Sequence, residues 1–524
     1  MAPTTMMQLF TASVERCPNR AAVIHEDTSL TYKQLEERIN QCARVLSLDL
    51  GVKPGDRVAY LLPNSLSILE VFYAIQQLGA IAVPINCRHI AREIAYLLES
   101  AQAQTFIYSQ RYEDKAKEAL ALHDGDIVSL MASSDEASGT LYGLMASKSC
   151  DRCEDLSLAH AVSRIQFTGG STGLPKGAVR THAADVAEVR GVMASNGLDE
   201  AIDEAVVLVQ CPLEHHGGHS WFTSALAAGA TLVVCGDFHE EDVLSAIDRY
   251  KVTHMILLPP VTYLRLVAWP DIHQFDLSSV RLVQSAAGAN NRKVIEAVFE
   301  YFPHALFNYG WGQSEGGLGT TQAITREIFA SNPRHLLSIG KPMLGVEVKL
   351  VNKQGEEVTD PYRHGEALIR SAATMSGYYN QLDLSAAVME EDGWLHTGDL
   401  MLRDENGYFY LCSRTKDVIK SGGENVFVGE VESVINLHED VLDCMVFGTS
   451  DPVMEEAVAA VVSLRPGAEL TGKELQDHCK QHLSSYKKPR YILFVGDLGK
   501  DSAGKVAKHR VKEYFEAHKE EATI

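Results

Sequence analysis

Phe167-Thr168-Gly169-Gly170-Ser171-Thr172-Gly173-Leu174-Pro175-Lys176-Gly177 is a run of small and hydroxylated residues closed by one lysine. It follows directly on an apolar segment, residues 165–167. Such a loop can fold its backbone N–H groups around phosphate oxygens, because glycine permits close approach and unusual dihedrals. The hydroxyls and the ammonium add further donors. The spacing is not that of the nucleoside-triphosphatase P-loop, since no Gly-Lys pair in the chain is followed by Ser or Thr. Glycine-rich stretches also form ordinary surface turns, and the loop by itself leaves both readings open.

Four further stretches carry chemistry-bearing side chains: Asn308-Tyr309-Gly310-Trp311-Gly312-Gln313-Ser314-Glu315, Trp394-Leu395-His396-Thr397-Gly398-Asp399, residues 414–425, and Gly504-Lys505. In the first, an aromatic, a hydroxyl and a carboxylate leave a strand end together, where open α/β sheets bind ligands. Gly310-x-Gly312 lacks the third glycine of a dinucleotide fingerprint. His215, His216 and His219 could be read as a metal cluster, but no Cys or Asp stands at the right spacing and zinc would need a ligand from elsewhere. Cys150-x-x-Cys153 has no second pair at zinc-ribbon spacing.

Together these motifs resemble, in order and along nearly the whole chain, those of the AMP-forming acyl-adenylate synthetases. The glycine-rich loop is similar to T-S-G-T-T-G-x-P-K-G, with departures at Gly170 and Ser171. By that resemblance Thr168, Ser171, Thr172, Gly173 and Lys176 hold phosphates. Trp311 to Glu315 matches Y-G-x-T-E. Trp311 then stacks on adenine beside Gly312, Ser314 contacts phosphate, and Glu315 binds Mg²⁺, which accepts carboxylate oxygen together with substrate phosphates. Small residues around Gly288 lie beside adenine in the family. Asp399 and Arg414 take the ribose, and Lys420, Gly422 and Gly423 belong to the G-G-E-N element. Lys416 matches the hinge residue between domains, and Lys505 the catalytic lysine. Pro212-Leu213-Glu214-His215-His216-Gly217-Gly218 matches P-L-x-H-x-x-G, which lines the acyl pocket. His215 is the matching residue, and Glu214 replaces a common aromatic. Arg88, in Val83-Pro84-Ile85-Asn86-Cys87-Arg88, is a candidate for a CoA phosphate, which the guanidinium fork suits.

The elements that must position these residues follow from hydrophobic pattern. Between residues 160 and 310 short apolar runs (206–209, 232–234, 255–258, 282–283, 306–307) alternate with helical patterns such as 240–250 and 292–301. That alternation predicts βαβ units and a parallel sheet covered by helices. The first 110 residues repeat the rhythm, with strands at 58–62 and 81–83. After residue 338 short strands with Gly and Asn turns (346–351, 366–369, 408–412) predict an antiparallel or barrel-like portion. The last residues mix strands (457–464, 492–495) with helices. The expected fold is α/β: a large N-terminal domain, residues 1–415, with two mostly parallel sheets and a small barrel-like part, then a small mobile α+β lid, residues 417–524.

A chain of 524 residues is too long for one core. Its 46% hydrophobic and 22% charged residues are those of a globular protein. Lys plus Arg number 47 against 69 Asp plus Glu, a net charge of −22, which argues against nucleic-acid binding and anionic membranes. No apolar run approaches a membrane span, no secretory signal opens the chain, and most of the ten cysteines sit in apolar contexts. A cytoplasmic enzyme, monomer or homodimer, is expected. The resemblance implies an ATP- and Mg²⁺-dependent ligase joining a small-molecule carboxylic acid to CoA. A ligase that loads an acyl carrier protein is the alternative, and a catalytically inactive adenylate-binding protein a further one. Lys176, Glu315, Asp399, Arg414 and Lys505 speak against the last. Ala286, Ala287, Gly288 and Gly312 suggest room for a sizeable or planar acyl group, but the sequence does not name the acid.

Overall fold

The computed structural model of the chain describes residues 2–133, 139–168, 174–201, 204–258, 260–286, 292–331, 333–421, 424–451, 454–499 and 506–522. Alternating apolar runs build two large sheets. One contains β1 (Ala21–His25), β2 (Thr28–Thr31), β9 (Val206–Val209), β10 (Thr231–Val234), β11 (His254–Ile256), β12 (Leu282–Ala286), β13 (Leu306–Gln313), β14 (Gly317–Ile324) and β15 (Lys341–Pro342), in the order β15-β14-β13-β12-β11-β9-β10-β1-β2. Its centre, from β13 to β1, is parallel. The other holds β3 (Arg57–Leu61), β4 (Ile81–Pro84), β5 (Thr105–Ser109), β6 (Val128–Ala132), β7 (Val162–Thr168) and β8 (Lys176–Thr181), in the order β6-β5-β3-β4-β7-β8. Only β8 runs antiparallel there.

The helix Leu66–Gln77 is apolar on all sides, with every residue from Ser67 to Gln77 buried. Such a helix needs cover all round. The core containing its residues also takes side chains from β3 and β9, and from the helix His216–Ala227. Glu70, buried in the first helix, is answered by the Arg38 guanidinium.

After residue 345 the pattern changes as expected. β16 (Val346–Val351), β17 (Gly365–Ser371), β18 (Leu395–Arg403) and β19 (Phe409–Arg414) form a four-stranded antiparallel sheet in sequence order. A small C-terminal domain then carries β20 (Ile419–Ser421), β21 (Glu424–Val426), β22 (Val441–Asp451), β23 (Glu455–Leu464) and β24 (Tyr491–Val495) in one sheet with its own apolar core. Among the described residues no helix is long and apolar enough to cross a membrane.

One expectation shifts. Trp311 and Gly312 lie within β13, which runs on through Gln313 and pairs with β14, so only Ser314 and Glu315 of the motif follow the strand end. Gly312 makes this possible: a Cβ there would stand 2.5 Å from the Gly317 carbonyl oxygen.

Candidate active site

The glycine-rich segment is the bend of a β-hairpin, since Thr168 of β7 stands opposite Lys176 of β8. Residues 169–173, with Ser171, Thr172 and Gly173, lie outside the described residues. At its base Thr168 Oγ1 donates to Glu315 Oε1 at 3.1 Å, and the Tyr378 hydroxyl donates to the same oxygen at 3.1 Å. Lys176 Nζ lies 5.5 Å from the Tyr378 ring centre. Tyr378 is placed because residues 376–379 pair with β8, through Ser376 N to Val179 O and Tyr379 N to Gly177 O. Burial, with the Glu315 charge beside it, pushes the Tyr378 phenol well up, so it stays a proton donor. The result is an oxygen-rich group beside an ammonium at a hairpin mouth. These hard donors suit a magnesium ion shared with phosphates.

The β13–β14 hairpin links this end to a second cluster. Trp311 is tucked against β14, where a Cβ on Gly319 would stand 2.5 Å from its ring. Its Nε1 donates to Asp399 Oδ2 at 3.0 Å. Asp399 is buried on β18 and receives Arg414 Nε on its other oxygen at 2.6 Å. Arg414 stands opposite Asp399 across the β18–β19 ladder and also donates to Thr397 O at 3.1 Å. Indole, carboxylate and guanidinium therefore form one connected set.

Behind the hairpin lies a buried ionic framework. Thr181 ends β8 and caps the helix His182–Ser195 by accepting from Ala184 N at 3.1 Å. This turn brings Asp185 back onto Arg180, whose Nε donates to Asp185 Oδ1 at 2.6 Å. Arg164 of β7 grips Asp185 with two nitrogens, each at 3.1 Å. Arg180 also reaches Glu188 at 2.6 Å, and its Nη1 donates at 3.2 Å to the carbonyl of Ser314, next to Glu315. His216 Nε2 stands 2.9 Å from Glu188. Its Nδ1 faces Arg164 Nη2 at 3.0 Å and must accept, because arginine has no acceptor. Burial therefore leaves His216 neutral and lowers its proton affinity. Burial also pushes the Asp185 and Glu188 carboxyls up, but the Arg164 and Arg180 charges, with the His216 hydrogen bond to Glu188, outweigh it, and both are held well below the ordinary range.

The third region is where the two large sheets meet. Asn64, just past β3, donates its amide to the carbonyls of Gln210, Cys211 and Cys235 at 3.3, 3.2 and 3.0 Å. Its Oδ1 accepts from Leu213 N at 2.8 Å. One side chain thus pins the turns after β9 and β10 against the end of β3. Glu214 follows, 6% exposed. Gln166 of β7 donates to its carbonyl at 3.2 Å. Burial pushes its carboxyl up to about 7, against the backbone N–H groups of Glu214 and Cys87 and the charge of Arg88, which draw it down. His215, half-buried, caps the helix His216–Ala227 by accepting from Gly217 N at 3.4 Å. His219 sits edge-on to Phe72 and Phe222, with ring centres 4.7 and 5.0 Å away. The three histidines thus face different partners, and no group of three metal-binding side chains occurs among the described residues.

Lys420 is exposed on β20, its N–H bonded to Glu456 at 2.6 Å. The backbone of Lys416 forms a single turn (Thr415–Asp417) between β19 and β20. Gly288, Gly422, Gly423 and Lys505 lie outside the described residues.

Residues 10–379 match the family model described as "AMP-binding enzyme", and residues 430–505 that of the "AMP-binding enzyme C-terminal domain". The chain belongs to the AMP-binding enzyme family. It is an AMP-forming acid–thiol ligase. A feruloyl-CoA synthase of Amycolatopsis is 32% identical over 501 residues, 95% of this chain and 96% of that one. A long-chain-fatty-acid–CoA ligase of Bacillus subtilis is 28% identical over 540 residues, 97% and 94%. The crystal structure of the anthranilate CoA ligase AuaEII with anthranoyl-AMP superposes with a TM-score of 0.87 at 25% identity, covering 98% of each chain.

Against this family frame, sequence reasoning missed Tyr378, the framework of Arg164, Arg180, Asp185 and Glu188, and the pin Asn64. Asp185 and Glu188, three residues apart on one helix face, offered a faint signal of shared burial. Tyr378 and Asn64 offered none.

Proposed function

We propose that the enzyme activates a small carboxylic acid with Mg·ATP and transfers the acyl group to CoA. The observation that carries this reading is one hairpin that holds Trp311 on β13 and Glu315 in its turn. Trp311 joins the Asp399–Arg414 pair, which suits a base and a ribose. Glu315 joins Thr168 and Tyr378 beside Lys176, which suits phosphates.

A carboxylate oxygen of the acid attacks the α-phosphorus of ATP. The new bond is an acyl–phosphate anhydride, and pyrophosphate leaves. The thiol of CoA then attacks the acyl carbon and AMP departs. Thr168, Ser171, Thr172, Gly173 and Lys176 hold the phosphate chain, and Ser314 adds a hydroxyl. Glu315 holds magnesium, which when bound neutralises phosphate charge. Trp311 receives adenine, and Gly288 and Gly312 contribute to the same binding. Asp399 and Arg414 exchange part of their mutual pairing for the ribose hydroxyls. Lys505 faces the charge that moves during adenylation. His215 lines the acid site, Arg88 receives a CoA phosphate, and Lys420, Gly422 and Gly423 belong to the face presented in thioester formation. The domain boundary falls at Lys416, so a rotation there presents either face of residues 417–524. The feruloyl and fatty-acyl relatives support an aryl or aliphatic acid.

Acid-dependent pyrophosphate release from ATP, followed by mass detection of the CoA thioester, tests the reading. Lys505→Ala should lower adenylation about a hundredfold or more. It should leave thioester formation from synthetic acyl-adenylate near the parental rate. Parental adenylation in that variant would remove Lys505 from its role.

A further inference from the structure

The helix Val428–Ile435 of the small domain is held by the large domain at both ends. At its start the ring of Phe427 stacks on His364, just before β17, with ring centres 4.3 Å apart and planes inclined by 26°. Two residues on, Gly429 lies against β19. A Cβ there would stand 2.7 Å from the Cys412 carbonyl oxygen, closer than a side chain can sit to backbone. The missing side chain is what lets the helix rest on the strand. β19 carries Arg414 two residues further along, so this seat and the nucleoside cluster share one strand.

At the other end the chain leaves the helix in a turn, where His438 N bonds to Ile435 O at 3.1 Å. Carbonyl groups at a helix C-terminus lack partners within the helix and carry partial negative charge. Lys293, the second residue of the helix Arg292–Tyr301 in the large domain, supplies the cation. Its ammonium donates to the His438 carbonyl at 2.6 Å and also to the Glu439 carbonyl. The three contacts come from three elements of the large domain, and a rigid helix can meet all of them in only one orientation. A rotation about Lys416 would carry the helix away from all three.

We propose that Lys293 and Gly429 are positioning residues that seat the small domain in the orientation seen here, and so set how the enzyme divides its time between the two half-reactions. Each contact exists in one orientation and is lost in the other, and only such a difference can shift the balance between two states. Lys293 supplies attraction at one end of the helix, and Gly429 permits close approach at the other. The proposal rests on the ligase reading above, in which the small domain presents two faces in turn.

The test pairs a structural readout with a kinetic one, on the full chain. Carbodiimide coupling of Lys293 to Glu439 or Asp440, whose charges reach its ammonium, reports the seat without catalysis. The parent should form this cross-link, and Gly429→Ala should lower its yield by about tenfold, because the added methyl clashes only in the seated orientation. The variant should still fold: Gly429 is not in the left-handed region, and alanine favours a helix more than glycine does. Adenylation is followed as single-turnover pyrophosphate release with ferulate and with octanoate. Thioester formation is followed from the two synthetic adenylates and CoA. Lys293→Met, which keeps length and removes charge, and Gly429→Ala should slow the same half-reaction by about tenfold. Both should leave the other half-reaction near the parental rate. Absence of the cross-link in the parent, or an unchanged yield in Gly429→Ala, would overturn the proposal. So would equal slowing of both half-reactions, no slowing of either, or opposite effects of the two variants. If the parent turned over neither acid and neither adenylate, the ligase reading would fail, and the cross-link would still decide whether the seat exists.

Discussion

Asp185 and Glu214 are both buried carboxyls, yet they are opposites. Asp185 is gripped by two guanidinium groups and the Ser163 hydroxyl, and its proton affinity is driven down. Burial drives the proton affinity of Glu214 up, and backbone N–H groups and Arg88 draw it only partly back. Gln166 joins the two, accepting from Arg164 at 2.7 Å and donating to the Glu214 carbonyl. Buried charge that serves as scaffold is cancelled within the protein, because an uncompensated charge would unfold it.

The largest effect should come from breaking the scaffold. Arg180→Met leaves Asp185 and Glu188 short of a partner, and such losses cost about 3–5 kcal/mol. It also frees the Ser314 carbonyl and so loosens Glu315. Denaturation should show the loss, and adenylation should fall with it. The pH dependence has a definite sign. Carboxyls held below their ordinary values stabilise the fold above that range, and the stability goes as pH falls through the folded values. The gap between parent and variant should therefore be full at neutral pH and shrink in acid. A variant as stable as the parent would mean that the cluster is not a scaffold.

A middling effect is expected at Asn64, which belongs to neither charge class. Asn64→Ala removes the acceptor of the Leu213 N–H and the one amide nitrogen that three carbonyls share, a loss of about 1–3 kcal/mol in all. Because it holds the turn before Glu214, the KM for the acid should rise more than the KM for ATP. Equal rises would tie Asn64 to the whole crevice instead.

The sequence was most legible where local pattern and burial agree. The strand at 206–209 and the helices at 240–250 and 292–301 stand where periodicity places them, since each buries one local apolar set. The strand carrying Trp311 was read short, because Gly310, Gly312 and Gln313 have low strand propensity and only pairing with β14 holds them extended. Trp311, Asp399 and Arg414 were read as one nucleoside group, and the structure brings them into contact. Arg180 and Asp185 were illegible as a pair. Their burial depends on β7, β8 and two helices converging, which no local window contains. Glu214 was legible only as a departure from an aromatic, and its environment required both sheets.

The smallest effect sharpens the contrast most. Glu214 has an ordinary carboxyl value near 4.5 and a folded value of about 7. The folded state therefore binds more protons between these values, and its stability falls as pH rises through that window. Above it, the folded chain carries an ionised, poorly compensated carboxylate, a penalty of up to about 3 kcal/mol from the shift. Glu214→Gln removes that charge and keeps an oxygen for the N–H groups. The variant should thus melt a few degrees higher than the parent at about pH 8, the gap narrowing toward about pH 5. Other titrating groups are common to both proteins and cancel in the difference. A gap independent of pH would mean that Glu214 ionises as an ordinary surface acid. A variant that melts lower than the parent at about pH 8, the deficit shrinking in acid, would place it with Asp185, as scaffold, and the two carboxyls would no longer be opposites.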